Sequence, residues 1–169
     1  MDKIILVDID KCMGCHTCKL SCALEHSKSS NLSEAIFEKN RTVPRIFIEK
    51  INDKCVPIQC MHCDNAPCIA VCPSHAVSRK NDKSPVTINN DRCIGCHECI
   101  IICPFGVIKN GPDGKSLIKC DLCIKRLEDG KDPACVESCP TKAIKYLSIK
   151  EVNTEKRRRY KVMILQNEQ

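Results

Sequence analysis

Residues 93–104 read Cys-Ile-Gly-Cys-His-Glu-Cys-Ile-Ile-Ile-Cys-Pro, a Cys-x2-Cys-x2-Cys-x3-Cys-Pro run. Few short patterns restrict a chain more. Three thiolates within one tight loop can wrap three corners of a 4Fe-4S cube. The fourth, Cys103, is held away by the turn at Pro104 and is placed to ligate a different cube. A chain built this way needs partner runs, and this one has three more. Cys12-Met-Gly-Cys15-His-Thr-Cys18-Lys-Leu-Ser-Cys22 repeats the spacing near the N-terminus, with Ala23 where the other run has Pro104. Cys60, Cys63, Cys68 and Cys72 form a Cys-x2-Cys-x4-Cys-x3-Cys-Pro run, its longer loop preorganised by Pro67. Cys120, Cys123, Cys135 and Cys139 form the last, with a long insert between its second and third cysteines.

The chain has 17 cysteines in 169 residues but only 3 Phe, 2 Tyr and no Trp, so something other than a large aliphatic and aromatic core holds it together. Cysteine at this density means a disulfide framework in a secreted chain or metal binding in a reducing compartment. The N-terminal Met-Asp-Lys-Ile-Ile-Leu-Val-Asp-Ile-Asp has no secretory pattern, and no apolar run is long enough to span a bilayer. The expected location is therefore cytoplasmic, where thiolate–metal sites are favoured. Zinc knuckles would explain Cys60/Cys63 and Cys120/Cys123 taken alone. A tetrahedral zinc site has no use for three cysteines in the Cys-x2-Cys-x2-Cys form or for a repeated Cys-Pro. Radical chemistry with adenosylmethionine needs one three-cysteine cube with an open iron, whereas all four sets here are complete.

The formal charge is +6, from 27 basic and 21 acidic residues. Four oxidised cubes on sixteen thiolates would contribute about −8 and bring the whole to about −2. The basic excess thus compensates anionic clusters rather than marking a nucleic-acid footprint. Lys156-Arg-Arg-Arg159 reads as a solvated face. Cys55 is the unmatched cysteine and reads as a buried free thiol. His16, His62 and His97 lie between ligand cysteines and are expected to be exposed or bonded to backbone, while His26 and His75 carry no signal. Gly14 and Gly95 let the loops turn tightly. Ile69, Val71, Ile100, Ile101, Val136 and Ile144 are expected to shield the cubes from water.

The expected fold class is α+β, with short β-hairpins and short helices around the clusters. Strands are expected at 3–9 and at 160–165, with hairpins around Asn52-Asp53, around Asn81-Asp82, and between Phe105–Ile108 and Ser116–Ile118. Helices are expected from Cys18 to about Ser27, over 31–39 behind an Asn31/Glu34 cap, over Ile124-Lys-Arg-Leu-Glu, and after a Ser148/Glu151 cap. The residues after each Cys-Pro repeat one pattern: Ser74-His-Ala-Val77, Phe105-Gly-Val-Ile108 and Thr141-Lys-Ala-Ile144. Three copies of a turn-plus-strand unit mark an internal repeat. Because a run's fourth cysteine serves the other cluster, four runs make two two-cluster units. Spacing alone leaves their pairing open, sequential or nested.

With these motifs the chain resembles the four-cluster ferredoxin-like electron-transfer subunits that serve dimethyl-sulfoxide reductase, formate dehydrogenase, formate hydrogenlyase and CO dehydrogenase. The resemblance covers about residues 3–147 and includes Asn65-Ala-Pro-Cys68 and the Lys119–Cys135 insert. It implies four 4Fe-4S clusters in a nested arrangement. Cys12, Cys15, Cys18 and Cys139 would hold the first, and Cys120, Cys123, Cys135 and Cys22 the second. Cys93, Cys96, Cys99 and Cys72 would hold the third, and Cys60, Cys63, Cys68 and Cys103 the fourth. It further implies an outer ferredoxin-like module of residues 1–54 plus 111–169 around an inner one of 55–110.

The function so implied is electron transfer, one electron at a time, between a catalytic redox subunit and a second redox partner. There is no Gly-rich nucleotide loop and no stretch that would house a pterin or flavin, so the chain is not expected to be an enzyme itself. The segment Ala23-Leu-Glu-His-Ser-Lys-Ser29 is most similar to CO dehydrogenase-associated members. Formate dehydrogenase, hydrogenase and tungsten or molybdenum aldehyde oxidoreductase are alternative partners. A reading of another class makes the clusters staples of a structural or assembly scaffold. Nucleic acid and a membrane span are not expected.

Overall fold

A computed structural model describes residues 2–167. In chain order its strands are β1 (Lys3–Val7), β2 (Phe47–Ile51), β3 (Lys54–Ile58), β4 (Val77–Ser78), β5 (Thr87–Ile88), β6 (Lys109–Asn110), β7 (Leu117–Ile118) and β8 (Ile144–Ser148). Three consecutive pairs are antiparallel hairpins, and β1 pairs antiparallel with the distant β8, Ile5 opposite Tyr146. The helices are α1 (Thr17–Glu25), α2 (Leu32–Ala35), α3 (Pro67–Ala70), α4 (Glu98–Ile102), α5 (Ile124–Glu128), α6 (Ala134–Glu137) and α7 (Ile149–Asn167). The elements are short because cysteine runs with fixed loop geometry take up the chain between them. Two-stranded pairs of this size are marginal alone and depend on what they pack against.

They pack on two cores. One gathers Ile5, Ile46, Leu122, Val136, Ala143 and Ile144 with Cys18, Cys22, Cys120, Cys135 and Cys139. The other gathers Ala66, Ala76, Val77, Val86, Ile108 and Leu117 with Cys72 and Cys99. The first is thus drawn from both ends of the chain and the second from its middle. Cys60, although it opens the second run, packs against the first core. Five of the eleven buried residues of the first core are cysteines, so thiols fill space that side-chain hydrocarbon fills in an ordinary domain.

The two homologous runs differ where their sequences do. Both helices that follow start from a left-handed histidine, His16 at φ 59° and His97 at φ 62°. Pro104 forces Cys103 into extended backbone and stops α4, since a residue before proline is pushed out of the α region. Ala23 imposes no such limit, and α1 continues to Glu25.

Several expectations need correction. Residues 160–165 are not a strand. They continue α7, whose start is fixed by a reciprocal cap in which Glu151 accepts the Ser148 N–H (2.7 Å) and Ser148 Oγ accepts the Glu151 N–H (3.3 Å). A short apolar run cannot tell strand from helix by itself, and here the helix already under way wins. The helix over 31–39 is a single turn, Leu32–Ala35, capped by Asn31 on the Ser33 N–H (3.0 Å). Glu38 ends it by folding back to accept the Ser29 N–H (3.0 Å) and hydroxyl (2.9 Å). The third hairpin begins at Lys109 rather than Phe105, because Val107 and Ile108 are drawn into the interior by the turn after Cys103-Pro104. Ile101 shields nothing, being 77% exposed, whereas Val136 and Ile144 are buried and Ile69 and Ile100 pack on the second core.

Candidate metal centres

Each cysteine run begins with the same local device. The residue just before the second cysteine is left-handed in all four: Gly14 (φ 69°), His62 (48°), Gly95 (71°) and Leu122 (58°). Reversing the chain there aims its amide at sulfur. The N–H groups of His62 and Leu122 each donate to the first cysteine of their run, Cys60 Sγ and Cys120 Sγ, both at 3.4 Å. Glycine suits such a backbone, but histidine and leucine adopt it in the other two loops, at a cost of roughly 1–2 kcal/mol each.

The end of the three runs that close on Cys-Pro is a second device. Three residues past the last cysteine the backbone is again left-handed, at His75, Gly106 and Lys142 (φ 51°, 60° and 52°), and that residue's N–H returns to the cysteine carbonyl at 3.2–3.3 Å. The turn delivers amides to the thiol. Burial pushes the Cys72 thiol up, but the N–H of Val77 (3.5 Å), the Ser74 hydroxyl and the Ala76 amide outweigh it and lower the pKa. Cys139 is lowered in the same way, against burial, by the Ile144 amide, the Thr141 hydroxyl and the Ala143 amide. These groups favour thiolate over thiol. This is the physical content of the Cys-Pro-x-x-Ala pattern that follows Cys72 and Cys139.

The remaining cysteines gather into neighbourhoods. Cys12, Cys15, Cys18 and Cys139 line one narrow cavity together with Gly14, Ile48, Pro57 and Ile144. Burial, and then the neighbouring Cys12, Cys139 and Cys15, push Cys18 up to about 11. Cys135 is raised by burial and then by Cys120, Cys22 and Cys123, and all four of these are buried. Burial pushes Cys120 and Cys123 up to about 12, with Cys22 adding to both. Burial raises Cys99 to about 11, with contributions from Cys68, Cys72, Cys93 and Cys96. Cys68 is raised by burial, lowered by Lys119, and raised by Cys60 and Cys103. Each of these raised values is the cost of crowding sulfur into a dry pocket, and a bound metal core reverses it.

The seventeenth cysteine, Cys55, is half-buried and free. Its Sγ lies 2.6 Å from where a Cβ on Gly14 would stand. The histidines divide: His16 and His97 are exposed, and His62 is bonded to backbone. His26, which carries no sequence signal, is part of a network. Its Nδ1–H donates to the Cys22 carbonyl (2.7 Å) and its Nε2–H to Asp121 Oδ1 (3.1 Å), while Asp121 Oδ2 holds Arg45 (2.6 Å). Burial opposes its charge, but Asp121 and the Cys22 carbonyl outweigh it and hold the pKa up at about 9. Arg45 also turns its backbone N–H onto Cys22 Sγ (3.2 Å). The position of Asp121 inside Cys120-Asp-Leu-Cys123 is the one hint of this network that the sequence holds.

The side chains fit an iron–sulfur cluster on an observation independent of cysteine count. His62 is 2% exposed, and its Nδ1 accepts the Val86 N–H at 3.0 Å. Burial, then the charge of Lys119, holds the ring neutral with a pKa near 3, so the hydrogen-bond network assigns its proton to Nε2. Nε2 is buried with no partner among the described residues. A buried donor between Cys60 and Cys63 with nothing to accept it is what a sulfide-bearing cluster would satisfy.

Short helices, short antiparallel pairs and cysteine sets of this chemistry define an iron–sulfur electron-transfer protein. The chain belongs to the 4Fe-4S dicluster domain family, which matches residues 51–149. It is similar to electron transport protein HydN of Escherichia coli, 36% identical across 96% of this chain and 99% of that one. An iron-sulfur protein of Rhodospirillum rubrum is 37% identical across 86% of this chain and 82% of its own length. A tetrathionate reductase subunit of Salmonella typhimurium is 35% identical across 80% of this chain and 53% of its own. The cofactor is accordingly the 4Fe-4S cluster, and the cysteine count accommodates four. The protein is an electron-transfer subunit, not a catalyst. Among the described residues no helix is long and apolar enough to cross a membrane.

Proposed function

We propose that the chain is a four-cluster wire with the nested ligand sets. Cys12, Cys15, Cys18 and Cys139 hold one cluster, Cys22, Cys120, Cys123 and Cys135 the second. Cys72, Cys93, Cys96 and Cys99 hold the third, and Cys60, Cys63, Cys68 and Cys103 the fourth. An outer module of residues 1–54 and 111–169 carries the first two sets and an inner module of 55–110 the others. What supports the grouping is the neighbourhood of each thiol and the drawing of the two cores from the ends and the middle of the chain. Each bound cluster supplies a one-electron couple.

One observation carries the wire reading over a mere scaffold. Two sets keep an exposed cysteine, Cys15 and Cys96, and the other two keep none. Beside each exposed cysteine, at the same place in the run, stands an apolar side chain in water, Met13 and Ile94, each 67% exposed. The first and third sets are thus the two termini, each with a docking face, and the second and fourth lie between. One terminus faces a catalytic oxidoreductase and the other a second redox partner. CO dehydrogenase is the catalytic partner that the sequence resemblance favours; formate dehydrogenase, hydrogenase and a tungsten or molybdenum aldehyde oxidoreductase are its alternatives.

The test is anaerobic reconstitution of the full chain followed by iron and sulfide analysis and a spectroscopic redox titration. Four reducible clusters and electron delivery to an artificial acceptor are expected. Clusters that load but cannot be reduced would sink the wire. Affinity capture from the native host, with metal analysis of the oxidoreductase recovered, tests the partner.

A further inference from the structure

Lys119 immediately precedes the last cysteine run and is only 4% exposed. Its ammonium donates to the Val86 carbonyl and, at 2.8 Å, to the Cys120 carbonyl. Both acceptors are neutral. Among the described residues no carboxylate is within ion-pair reach of it. The acid nearest in sequence, Asp121, is engaged by Arg45 at 2.6 Å and by His26 at 3.1 Å. A buried cation held only by carbonyl dipoles is strongly unfavourable unless negative charge lies close by. Its position supplies the candidates. Val86 belongs to the second core, and Cys120 to the first, so the ammonium stands where the two meet. Val86, whose carbonyl holds it, also donates its N–H to His62 between Cys60 and Cys63 (3.0 Å), and Cys120 opens the last run, so the ammonium adjoins two different sets.

We propose that Lys119 is a fixed cation shared by the two inner cluster sites, its counter-charge being the anionic clusters themselves, and that it raises the potentials of both. The proposal rests on the ligand sets given above. Its basis is elementary electrostatics: a fixed positive charge favours whichever redox state is more negative, and that is the reduced one. Anchoring the ammonium on two carbonyls keeps it in place through both redox states, so Lys119 acts as a positioning residue for charge and takes part in no bond-making step. At the two termini Cys15 and Cys96 face water, which screens charge there.

The experiment is an anaerobic redox titration of the reconstituted full chain, followed by electron paramagnetic resonance, for the native protein, Lys119→Met and Lys119→Arg. In Lys119→Met two of the four couples should become at least tenfold harder to reduce, a fall of about 59 mV for a one-electron step. Lys119→Arg should keep all four near their native values. Unchanged potentials in a fully loaded Lys119→Met protein would overturn the proposal, as would an equal shift of all four couples. If Lys119→Met fails to load all clusters, loading of Lys119→Arg decides. Full loading of the arginine variant supports the need for charge, and failure of both reads as a need for shape and overturns it. Iron content of the native protein reports on the ligand sets separately, so fewer than four native clusters would sink that reading without deciding the role of Lys119.

Discussion

His75 and Lys142 share one left-handed backbone, φ 51° and 52°, each three residues past the cysteine that ends its run. Neither side chain asks for that conformation. The turn imposes it, because only then do the following amides converge on Cys72 and Cys139. Gly106 holds the same place after Cys103 at φ 60°, with nothing within 4 Å of a Cβ built on it.

Relief of that strain should be measurable. Lys142→Gly is expected to leave the Cys139 site intact and to raise stability by about 1 kcal/mol, since glycine adopts this backbone freely. Lys142→Val should lower it by more than that, because a β-branched residue at positive φ is an outlier. The temperature at which cluster absorbance bleaches under anaerobic heating is the readout. A lower bleaching temperature for the glycine variant would refute the account.

Cys139→Ala should damage the cluster organised by Cys12, Cys15 and Cys18, even though the residues lie at opposite ends of the chain. Iron should fall by about a quarter, the share of one cube in four, with the other three spectra retained. Loss of a signal that instead disappears in Cys93→Ala would mean sequential pairing. The cavity shared by Cys12, Cys15, Cys18 and Cys139 is the reason to expect the first result.

His26 ties α1 to the Cys120–Cys123 loop by donating to both sides, the Cys22 carbonyl and Asp121. His26→Leu removes both donors and leaves a partly buried carboxylate held only by Arg45 and the Cys123 N–H (3.0 Å). Hydrogen bonds to a charged group are worth roughly 1.5–3 kcal/mol, so release of iron to a chelator should quicken by about tenfold or more. His26→Gln, which can still donate to one partner, should fall between. A native release rate in His26→Leu would show the network to be incidental.

The local parts of this protein are legible in sequence and the long-range parts are not. Cysteine spacing gives the runs, and Pro104 against Ala23 gives the different lengths of α4 and α1, because each effect acts within a few residues. The turn after each Cys-Pro, which leads into a buried pair (Ala76-Val77, Val107-Ile108, Ala143-Ile144), is legible for the same reason. Nothing local announces that His26 meets Asp121, 95 residues away, or that Val86 supplies an acceptor for Lys119 and a donor for His62. The Lys119–Val86 pairing exists only where the two cores meet, and the others only once distant segments have packed into one core. The end of α7 reads as a strand in sequence because a few residues of mixed apolar character fit a strand as well as a helix.

Gly14 and Gly95 occupy the same place in two homologous loops, at φ 69° and 71°, but their surroundings differ. A Cβ at Gly95 would meet nothing within 4 Å, while one at Gly14 would stand 2.6 Å from Cys55 Sγ and 3.4 Å from its Cβ. Alanine should therefore cost each loop the same backbone strain, roughly 1–2 kcal/mol, and Gly14→Ala should add a steric collision inside the first ligand cavity. Cys55→Ala removes the sulfur and leaves only an ordinary contact. Gly14→Ala should thus be clearly worse than Gly95→Ala in anaerobic bleaching temperature, and the Gly14→Ala/Cys55→Ala double variant should recover to the Gly95→Ala level. The coupling belongs to the pair, because residues in direct contact are where additivity fails. Additive effects of the two substitutions would mean that Cys55 does not restrict the loop. The seventeenth cysteine would then be packing filler rather than the residue that makes glycine obligatory at position 14.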